Sequence, residues 1–409
     1  MDLQPRGHEK VSRLREKGVS IPTPASVDIG DSVDIDRISG DGVVIHPGCR
    51  IHGAKTVISE GCVLGAEGPV TVDDCWLGPR VELKGGSFKR SVFLERANMG
   101  LGAQVREGCL LEEEANGAHC VGLKQTILLP FVTLGSLINF CDCLMAGGTS
   151  RKDHSEVGSS YIHFNYTPDG DKTTPSLFGD VPRGVMLDQP PIFLGGQGGA
   201  VGPVHVNYGT VVAAGSVLRH DVAEENQLVF ASPPQSFVQQ RAPHAYRNLA
   251  RVVRNNVSYL ANLVALEQWY RHVRRPFFER QELGELVYAG ALETLAAAKD
   301  ERTKRLIAMA SKVPEIHPLS GGLNACVGDL CELYAIDENL PDGREFLGLL
   351  RPEEAATRGN YLETVQGLSP EVRAAGVEWL ERIVEALRGR ADELLHSAGL
   401  FDEHQSHLR

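Results

Sequence analysis

The sequence predicts a left-handed parallel β-helix followed by an α-helical C-terminal domain. An aliphatic residue recurs every six positions over much of the first half, which neither a helix of period 3.6 nor an alternating strand produces. The 44 glycines are concentrated before residue 216, as expected where the chain turns often. Past residue 242 the apolar spacing becomes helical. A chain of 409 residues also exceeds what one hydrophobic core usually organises, so two domains are expected.

The β-helix is predicted to span residues 21–235. A triangular solenoid with one short strand and one turn per hexapeptide explains the period, and each aliphatic side chain is expected to point into the stack. An antiparallel sandwich rich in turns is the alternative, but it does not explain strict sixes. The repeat is marked by Ile21, Val27, Val33, Ile45, Ile51, Val57, Val63, Val105, Leu111, Val132, Ile138 and Leu144.

Helices are predicted before and after the β-helix in the sequence. Residues 1–20 lack the apolar run of a secretory signal. They are expected to form a short N-terminal amphipathic helix instead. Residues 242–409 are expected to form the α-helical domain. Its clearest start is Ser369 as N-cap with Pro370 at the first helical position. The helices are expected near residues 249–273, 281–299, 303–313, 327–335 and 369–396.

Composition excludes several classes of function. The formal net charge of −12 argues against general binding of nucleic acid or of an anionic membrane. No segment has the roughly twenty apolar residues that span a bilayer. The nine cysteines lack paired spacing, which favours free thiols in a reducing, cytoplasmic location. Cys141 and Cys143 fit a pair of small buried residues better than a metal site, so no metal is predicted.

A polar segment interrupts the repeat between residues 159 and 174. Its residues Asn165, Tyr166 and Lys172 supply amide, phenol and ammonium groups close together in sequence. Such a set suits a phosphorylated sugar, with Lys172 as a point charge for the phosphate. A solvated turn at Asp169-Gly170 is the alternative reading of the same segment.

Five segments resemble the acetyltransferase half of the bifunctional GlmU enzymes, which are glucosamine-1-phosphate N-acetyltransferases and N-acetylglucosamine-1-phosphate uridylyltransferases. The resemblance covers about a quarter of the chain, and its most specific part is the Asn-Tyr…Asp-Gly…Lys-Thr loop. The segments are Val121-Gly-Leu-Lys124, Gly135-Ser-Leu-Ile-Asn-Phe140, Asn165-Tyr-Thr-Pro-Asp-Gly-Asp-Lys-Thr-Thr174, Gly202-Pro-Val204 and Ala213-Ala-Gly-Ser-Val-Leu-Arg-His-Asp-Val222.

The resemblance implies a fold, an assembly and a set of ligands. It implies a homotrimer that binds a small-molecule sugar phosphate and uses acetyl-CoA as co-substrate. It further implies that Asn165, Tyr166 and Lys172 contact the substrate and that Ala214 lies along the CoA site. No domain of the uridylyltransferase half precedes the repeat, so uridylyl transfer is not expected.

The chain departs from the family at the catalytic base. Asn139 is followed by Phe140 where the resemblance implies a histidine, and a phenyl ring cannot accept a proton from an amine. Another base is therefore needed. His154, beside Asp153, and His163, two residues before Asn165, are the candidates, although either histidine could instead be structural.

Two functions follow from these observations. The first is an acyltransferase-like protein of nucleotide-sugar or amino-sugar metabolism that transfers acetyl from acetyl-CoA to an amino sugar phosphate. The alternative is a noncatalytic protein that binds a sugar phosphate or nucleotide sugar and has lost the base at Phe140. The loop residues favour a ligand in both cases.

Overall fold

The computed structural model describes residues 6–167, 169–233, 235–236, 238–241, 243–246, 248–335 and 340–398. Residues 28–229 form a parallel β-helix of about 11 turns. Helices follow it from Leu249 onward. The predicted fold, a left-handed β-helix followed by an α-helical region, is confirmed.

Each coil of the β-helix runs along a first, a second and a third face in turn, and strands on each face pair in parallel. The first face contains Asp28–Ile29, Arg50–His52, Val70–Asp73, Gly86–Lys89, Ala103–Val105, Ile162–Phe164, Gly199–Val201 and Val217–Leu218. The second face contains Val57–Ile58, Trp76–Leu77, Ser91–Phe93, Cys109–Leu111, Ser176–Phe178 and His205–Val206. The strands Gly122–Leu128 and Asn139–Met145 bend from the first face onto the second.

The third face closes the triangle. It contains Val44–Ile45, Val63–Leu64, Glu82–Leu83, Asn98–Met99, Asn116–Gly117, Thr133–Leu134, Glu156–Val157, Phe193–Leu194, Val211–Val212 and Leu228–Val229. A separate antiparallel hairpin, Gly148–Ser150 with Asp153–His154, projects between the second and third faces.

The second face is apolar on both of its sides. Trp76 points outward, because it contacts the helix that contains Gly290, and side chains in register on parallel strands share a face. The outward column is Val57, Trp76, Val92, Leu110, Ile127, Leu144 and Leu177, all of them buried. Each aliphatic residue of the hexads was expected to point into the stack, but not all of them do. Val57 and Leu144 point outward, and Val63 is only half-buried.

Helices occur before, within and after the β-helix, and two of them cover this second face. The helices are α1 (His8–Lys17), α2 (Val181–Gly184), α3 (Leu249–Trp269), α4 (Arg275–Phe278), α5 (Gly284–Ala310), α6 (Ser320–Glu332), α7 (Arg344–Leu350), α8 (Pro352–Arg358), α9 (Tyr361–Gln366) and α10 (Pro370–Ser397). A π-helical turn, Tyr270–Arg274, links α3 to α4. Helix α5 packs on the strands at Trp76–Leu77, Ser91–Phe93 and Cys109–Leu111, and α3 packs on Ser176–Phe178. Helices and β-helix therefore share one hydrophobic core.

The helices overlap the predicted segments, with several differences. Helix α6 begins at Ser320 and ends at Glu332, whereas a helix over 327–335 was predicted, and the four-residue helices α2 and α4 were not predicted. Helix α5 runs unbroken through residues 299–303, where two helices were expected, because Lys299-Asp-Glu-Arg-Thr303 contains neither glycine nor proline to stop it. The short helices α7, α8 and α9 were not predicted. None of the helices in the described part of the chain is long and apolar enough to cross a membrane.

Helix α1 covers the first coils of the β-helix. Its Lys10 ammonium donates to the carbonyl oxygens of Asp31 and Val33, both at 2.7 Å. Lys17 donates to the carbonyl oxygen of Ile38 at 2.6 Å. The helix ends at Gly18, whose φ of 116° needs a residue without a side chain. The lysines thus satisfy carbonyl oxygens of the first coil, which in later coils accept from the N–H groups of the preceding coil.

Candidate functional site

The polar loop lies at the corner between the first and second faces. The chain leaves the first face at Phe164 and joins the second face at Ser176. The ends of the loop are tied together, since the Thr174 hydroxyl donates to the Asn165 carbonyl oxygen at 3.0 Å. The loop therefore has the closed base that a binding loop on a rigid scaffold needs.

Asn165 is held by a buried ion pair. Its amide donates to one carboxylate oxygen of Asp142, and the guanidinium of Arg302 on α5 binds the other oxygen. The side chains of Asp142 and Arg302 are 4% and 2% exposed. Arg302 also donates to the backbone oxygen of Lys172 at 3.3 Å. One guanidinium from the helical region thus fixes both ends of the loop.

The acidic residues of the loop bind the segment that leads into the helices. Asp171 accepts hydrogen bonds from the Tyr246 hydroxyl and from the Lys312 ammonium, the latter at 3.1 Å. Asp169 accepts one from the His244 backbone N–H at 3.1 Å and pairs with Arg241. The sequence interpretation of Asp169-Gly170 as a solvated turn therefore does not hold, because both carboxylates have protein partners.

Tyr166 and Lys172 remain available to a ligand. The Tyr166 side chain is 63% exposed, and the Lys172 ammonium lies 5.9 Å from the centre of its ring. A Cβ on Gly170 would lie 3.5 Å from the Lys312 ammonium and 4.0 Å from the Tyr166 hydroxyl. An aromatic ring and two ammonium groups thus surround a glycine turn, an arrangement suited to a sugar ring bearing a phosphate.

His163 lies inside the β-helix rather than beside the loop. Its strand register continues the interior column of Phe140 and Ala200, and its side chain is 1% exposed. Its Nδ1–H donates to the Cys141 carbonyl oxygen at 2.6 Å, and Nε2 accepts from the Ser176 hydroxyl at 2.7 Å. Burial lowers the pKa of the ring. Both ring nitrogens are thus occupied in a neutral imidazole, which leaves no lone pair for a substrate amine.

Phe140 is likewise an interior residue. Its ring packs edge-on against Tyr161 and His163 and lies 5.3 Å from the ring of Phe178. A histidine at this position would face the same interior and not the loop. Phe140 therefore does not occupy a position from which a base could reach the loop.

His154 lies in the hairpin between the second and third faces. Its Nε2 is 3.9 Å from a carboxylate oxygen of Glu156, and its Nδ1 has no hydrogen-bond partner among the described residues. Its side chain reaches solvent, unlike that of His163. The neighbouring Asp153 accepts a hydrogen bond from the Thr149 hydroxyl at 2.8 Å instead of binding the His154 ring.

Ala214 is exposed in the turn between the third and first faces. Its backbone stacks against the Gly195-Gly-Gln-Gly-Gly199 segment. A Cβ on Gly195 would lie 2.4 Å from the Ala214 nitrogen, and one on Gly158 would lie 2.4 Å from the Gly196 nitrogen. Close stacking of successive turns therefore accounts for these glycines.

The predicted site residues occupy three different corners. The loop with Asn165, Tyr166 and Lys172 lies where the first face meets the second, and His154 lies where the second meets the third. Ala214 lies where the third face meets the first. One chain brings the three loop residues together, but it does not bring Ala214 or His154 to them.

Sequence reasoning missed the residues that hold the loop. Arg302, Lys312, Tyr246 and His244 follow it by at least seventy positions. His244 also has an Nδ1 without a partner among the described residues. The available signal was Asp142, a carboxylate between two apolar strand positions, which demands a buried cation. The local sequence does not show which cation pairs with Asp142.

Comparison with known proteins supports the resemblance. No protein-family model matches the chain. The chain is similar to bifunctional protein GlmU of Thermotoga petrophila, with 29% identity over 214 residues, 52% of this chain and 42% of that protein. GlmU of Trichlorobacter lovleyi is 29% identical over 204 residues, 50% of this chain and 40% of that protein. GlmU of Fervidobacterium nodosum is 28% identical over 215 residues, 53% of this chain and 42% of that protein.

The match covers only part of each protein. The chain spans about two fifths of the length of the curated relatives it matches. The matched length is close to that of the β-helix. The resemblance found in the sequence is confirmed, and the chain carries a left-handed β-helix similar to that of the acetyltransferase half of the GlmU proteins.

Proposed function

We propose that this chain binds an amino sugar phosphate at the loop 165–174 and acts as an acyltransferase of amino-sugar or nucleotide-sugar metabolism, with acetyl-CoA as acetyl donor. The observation that carries the proposal is the pair of Tyr166 and Lys172. Tyr166 is 63% exposed and Lys172 is partly exposed, whereas Asn165 and Asp171 of the same loop are bound by the protein. An aromatic ring beside an ammonium group can bind a ligand that carries a sugar ring and a phosphate.

Each loop residue has a role in the proposed reaction. Lys172, with Lys312 behind it, holds the phosphate, and the Tyr166 ring packs against the sugar. The sugar amine attacks the thioester carbonyl carbon of acetyl-CoA and loses its proton to a base, and CoA leaves as the thiol. We propose His154 of a neighbouring chain as that base, because its ring reaches solvent but lies at a different corner from the loop of its own chain. The side-chain oxygen Oδ1 of Asn165 contacts the substrate, while its side-chain NH2 group donates to Asp142.

The proposed site is shared between chains of a homotrimer. Exposed apolar side chains flank the corner that carries Ala214 on both of its faces. They are Ile162, Phe164 and Val201 on the first face and Phe193, Val211 and Leu228 on the third. Apolar patches on two adjacent faces favour burial against other copies. Such packing supports a site in which Ala214 of one chain approaches the loop of a neighbour.

A noncatalytic sugar-phosphate or nucleotide-sugar binder is the second candidate. The enclosure of His163 favours it, because neither that ring nor Phe140 offers a base to the loop. Both candidates require the loop to bind ligand. They differ in whether thiol is released.

A single pair of measurements separates the two functions. Calorimetry with glucosamine 1-phosphate measures binding, and release of free thiol from acetyl-CoA measures transfer. We expect Lys172→Met to weaken binding by about 10- to 100-fold, since a hydrogen bond to a charged group contributes about 1.5–3 kcal/mol. Lys304→Met removes an exposed lysine of α5 and serves as the matched control, with unchanged binding.

The outcomes assign the function. Thiol release that His154→Gln abolishes, with binding retained, supports the acetyltransferase. Binding without thiol release supports the second candidate. Equal binding by wild type and Lys172→Met would refute the loop as the ligand site.

A further inference from the structure

A second cleft lies at a different corner of the β-helix from the loop. It has a volume of about 670 Å³ and opens at the corner between the second and third faces, against α8 and α9. Glu113 and Glu114 of a β-helix turn line one wall, Lys152 of the hairpin lines another, and Arg280 and Tyr361 of the helical region face them. Its volume is within the range of small-molecule sites. No residue of the loop 165–174 lines it.

Glu113 is buried in this cleft with one oxygen unsatisfied. The residue is 7% exposed, and its Oε1 binds the guanidinium of Arg274. Its Oε2 has no hydrogen-bond partner within the part of the chain that the structure describes. Leaving a buried carboxylate oxygen unpaired costs stability that a bound donor would restore.

Arg274 binds only the other oxygen of Glu113, although its own Nε–H also has no partner among the described residues. This guanidinium also binds Glu112 at 3.1 Å, and the rings of Tyr361 and Tyr270 lie 3.9 and 4.7 Å from its central carbon. Glu112 is better satisfied than Glu113, because it also accepts from the Tyr270 hydroxyl at 2.7 Å. One cation is therefore shared by two carboxylates, and the shortfall is at Glu113.

The charge around the cleft indicates the kind of donor. Burial raises the pKa of Glu113 to about 7; Arg274 opposes this rise, and the charge of Glu112 adds to it. Glu114 places a second carboxylate on the same wall, with the Arg96 guanidinium at 3.8 Å. A donor that carries positive charge is favoured there over a neutral hydroxyl.

We propose that this cleft binds a small molecule that carries a primary ammonium group, which donates to the unpaired oxygen of Glu113 and lies beside Glu114. The exposed side chains of Lys152 and Arg280 line the same cleft, and neither has a side-chain partner among the described residues. They suit an anionic group at the other end of the same ligand. The site is independent of the function proposed for the loop.

A matched pair of probes tests this inference. The compounds 4-aminobutanoate and butanedioate have the same four-carbon chain and differ in an ammonium against a carboxylate. We expect calorimetry on the full chain at neutral pH to detect 4-aminobutanoate but not butanedioate. Glu113→Gln should weaken that binding by about tenfold or more. Glu363→Gln removes an exposed carboxylate of the same cleft and should leave binding within about twofold of wild type.

A second variant guards against misfolding of Glu113→Gln. Ser150→Trp fills the cleft from the hairpin without touching Arg274, and it should also abolish binding. The proposal is overturned if 4-aminobutanoate does not bind, if butanedioate binds equally well, or if both variants bind like the wild type. Sugar-phosphate binding at the loop is expected to survive in both variants, so failure of one site is distinguishable from failure of the other.

Discussion

At the scale of single residues, burial decides which histidine can act. His163 looked like a candidate base because it precedes Asn165 by two positions. Strand alternation places it inside the β-helix, where the Cys141 carbonyl and the Ser176 hydroxyl fix its neutral tautomer. The Ser176 hydroxyl in turn accepts from the Val204 N–H at 3.0 Å. The imidazole therefore links three coils.

The same burial predicts a pH dependence of stability. The folded-state pKa of His163 is lowered from 6.5 by burial, so the unfolded chain binds the proton more readily. Stability contributed by the neutral ring is fully present above pH 6.5 and is lost as pH falls below that value. We expect His163→Gln, which keeps both hydrogen bonds, to lose less stability than the wild type between pH 7 and pH 5. Denaturant unfolding across that range measures it, and parallel curves for both proteins would contradict it.

At the scale of elements, helices α3 and α5 share the hydrophobic core of the β-helix through its second face. The outward column of the second face, from Val57 to Leu177, would present apolar side chains to water without α3 and α5. One close approach is at Gly290, where a Cβ would lie 2.4 Å from the Trp76 ring. Glycine is therefore required on α5 for contact and not for backbone flexibility.

Two glycine-to-alanine substitutions are expected to change the free energy of unfolding in opposite directions. Gly290→Ala should destabilise the protein by about 1–3 kcal/mol, because the added methyl overlaps the Trp76 ring. Gly328→Ala in α6 meets no atom within 4 Å, so alanine should stabilise the helix by about 0.5–1 kcal/mol. Thermal and denaturant unfolding of both variants measure the difference. Stabilisation by Gly290→Ala would show that α5 does not rest on the second face as described.

At the scale of the whole molecule, the long helices α3 and α5 cover one of the three faces of the triangle. The contacts of α3 and α5 with strands lie on the second face. The first and third faces keep exposed apolar residues near the corner of Ala214, including Phe164 and Leu228. The proposed trimer would bury these residues and would join the loop of one chain to Ala214 of the next.

Assembly is tested by mass and by complementation. Light scattering should give about three times the chain mass of 44.4 kDa. Lys172→Met and Ala214→Trp each damage a different corner, so each alone should be inactive. Trimers formed from an equal mixture should regain about a quarter of wild-type turnover, because a shared site draws an intact corner from each of two chains. A monomeric mass, or a mixture as inactive as its components, would contradict a shared site.

The sequence predicted most of the fold and half of the candidate site. Period six and the glycine turns are local signals, so they identified the β-helix, and the Asn165…Lys172 loop was visible as a polar break in it. The helices that hold the loop through Arg302 and Lys312 act over more than a hundred residues. No local pattern encodes such a contact.

By itself, the sequence determined the β-helix, the helical region after it, the resemblance to GlmU proteins and the loop residues Tyr166 and Lys172. The tertiary structure decided which of the candidate side chains are accessible. It placed His163 and Phe140 in the interior, tied Asn165 to Asp142 and Arg302, and left Glu113 with an unpaired oxygen in a second cleft. The reason is physical: repeat period is set by neighbours in the chain, whereas burial and charge pairing are set by whatever the fold packs against each residue.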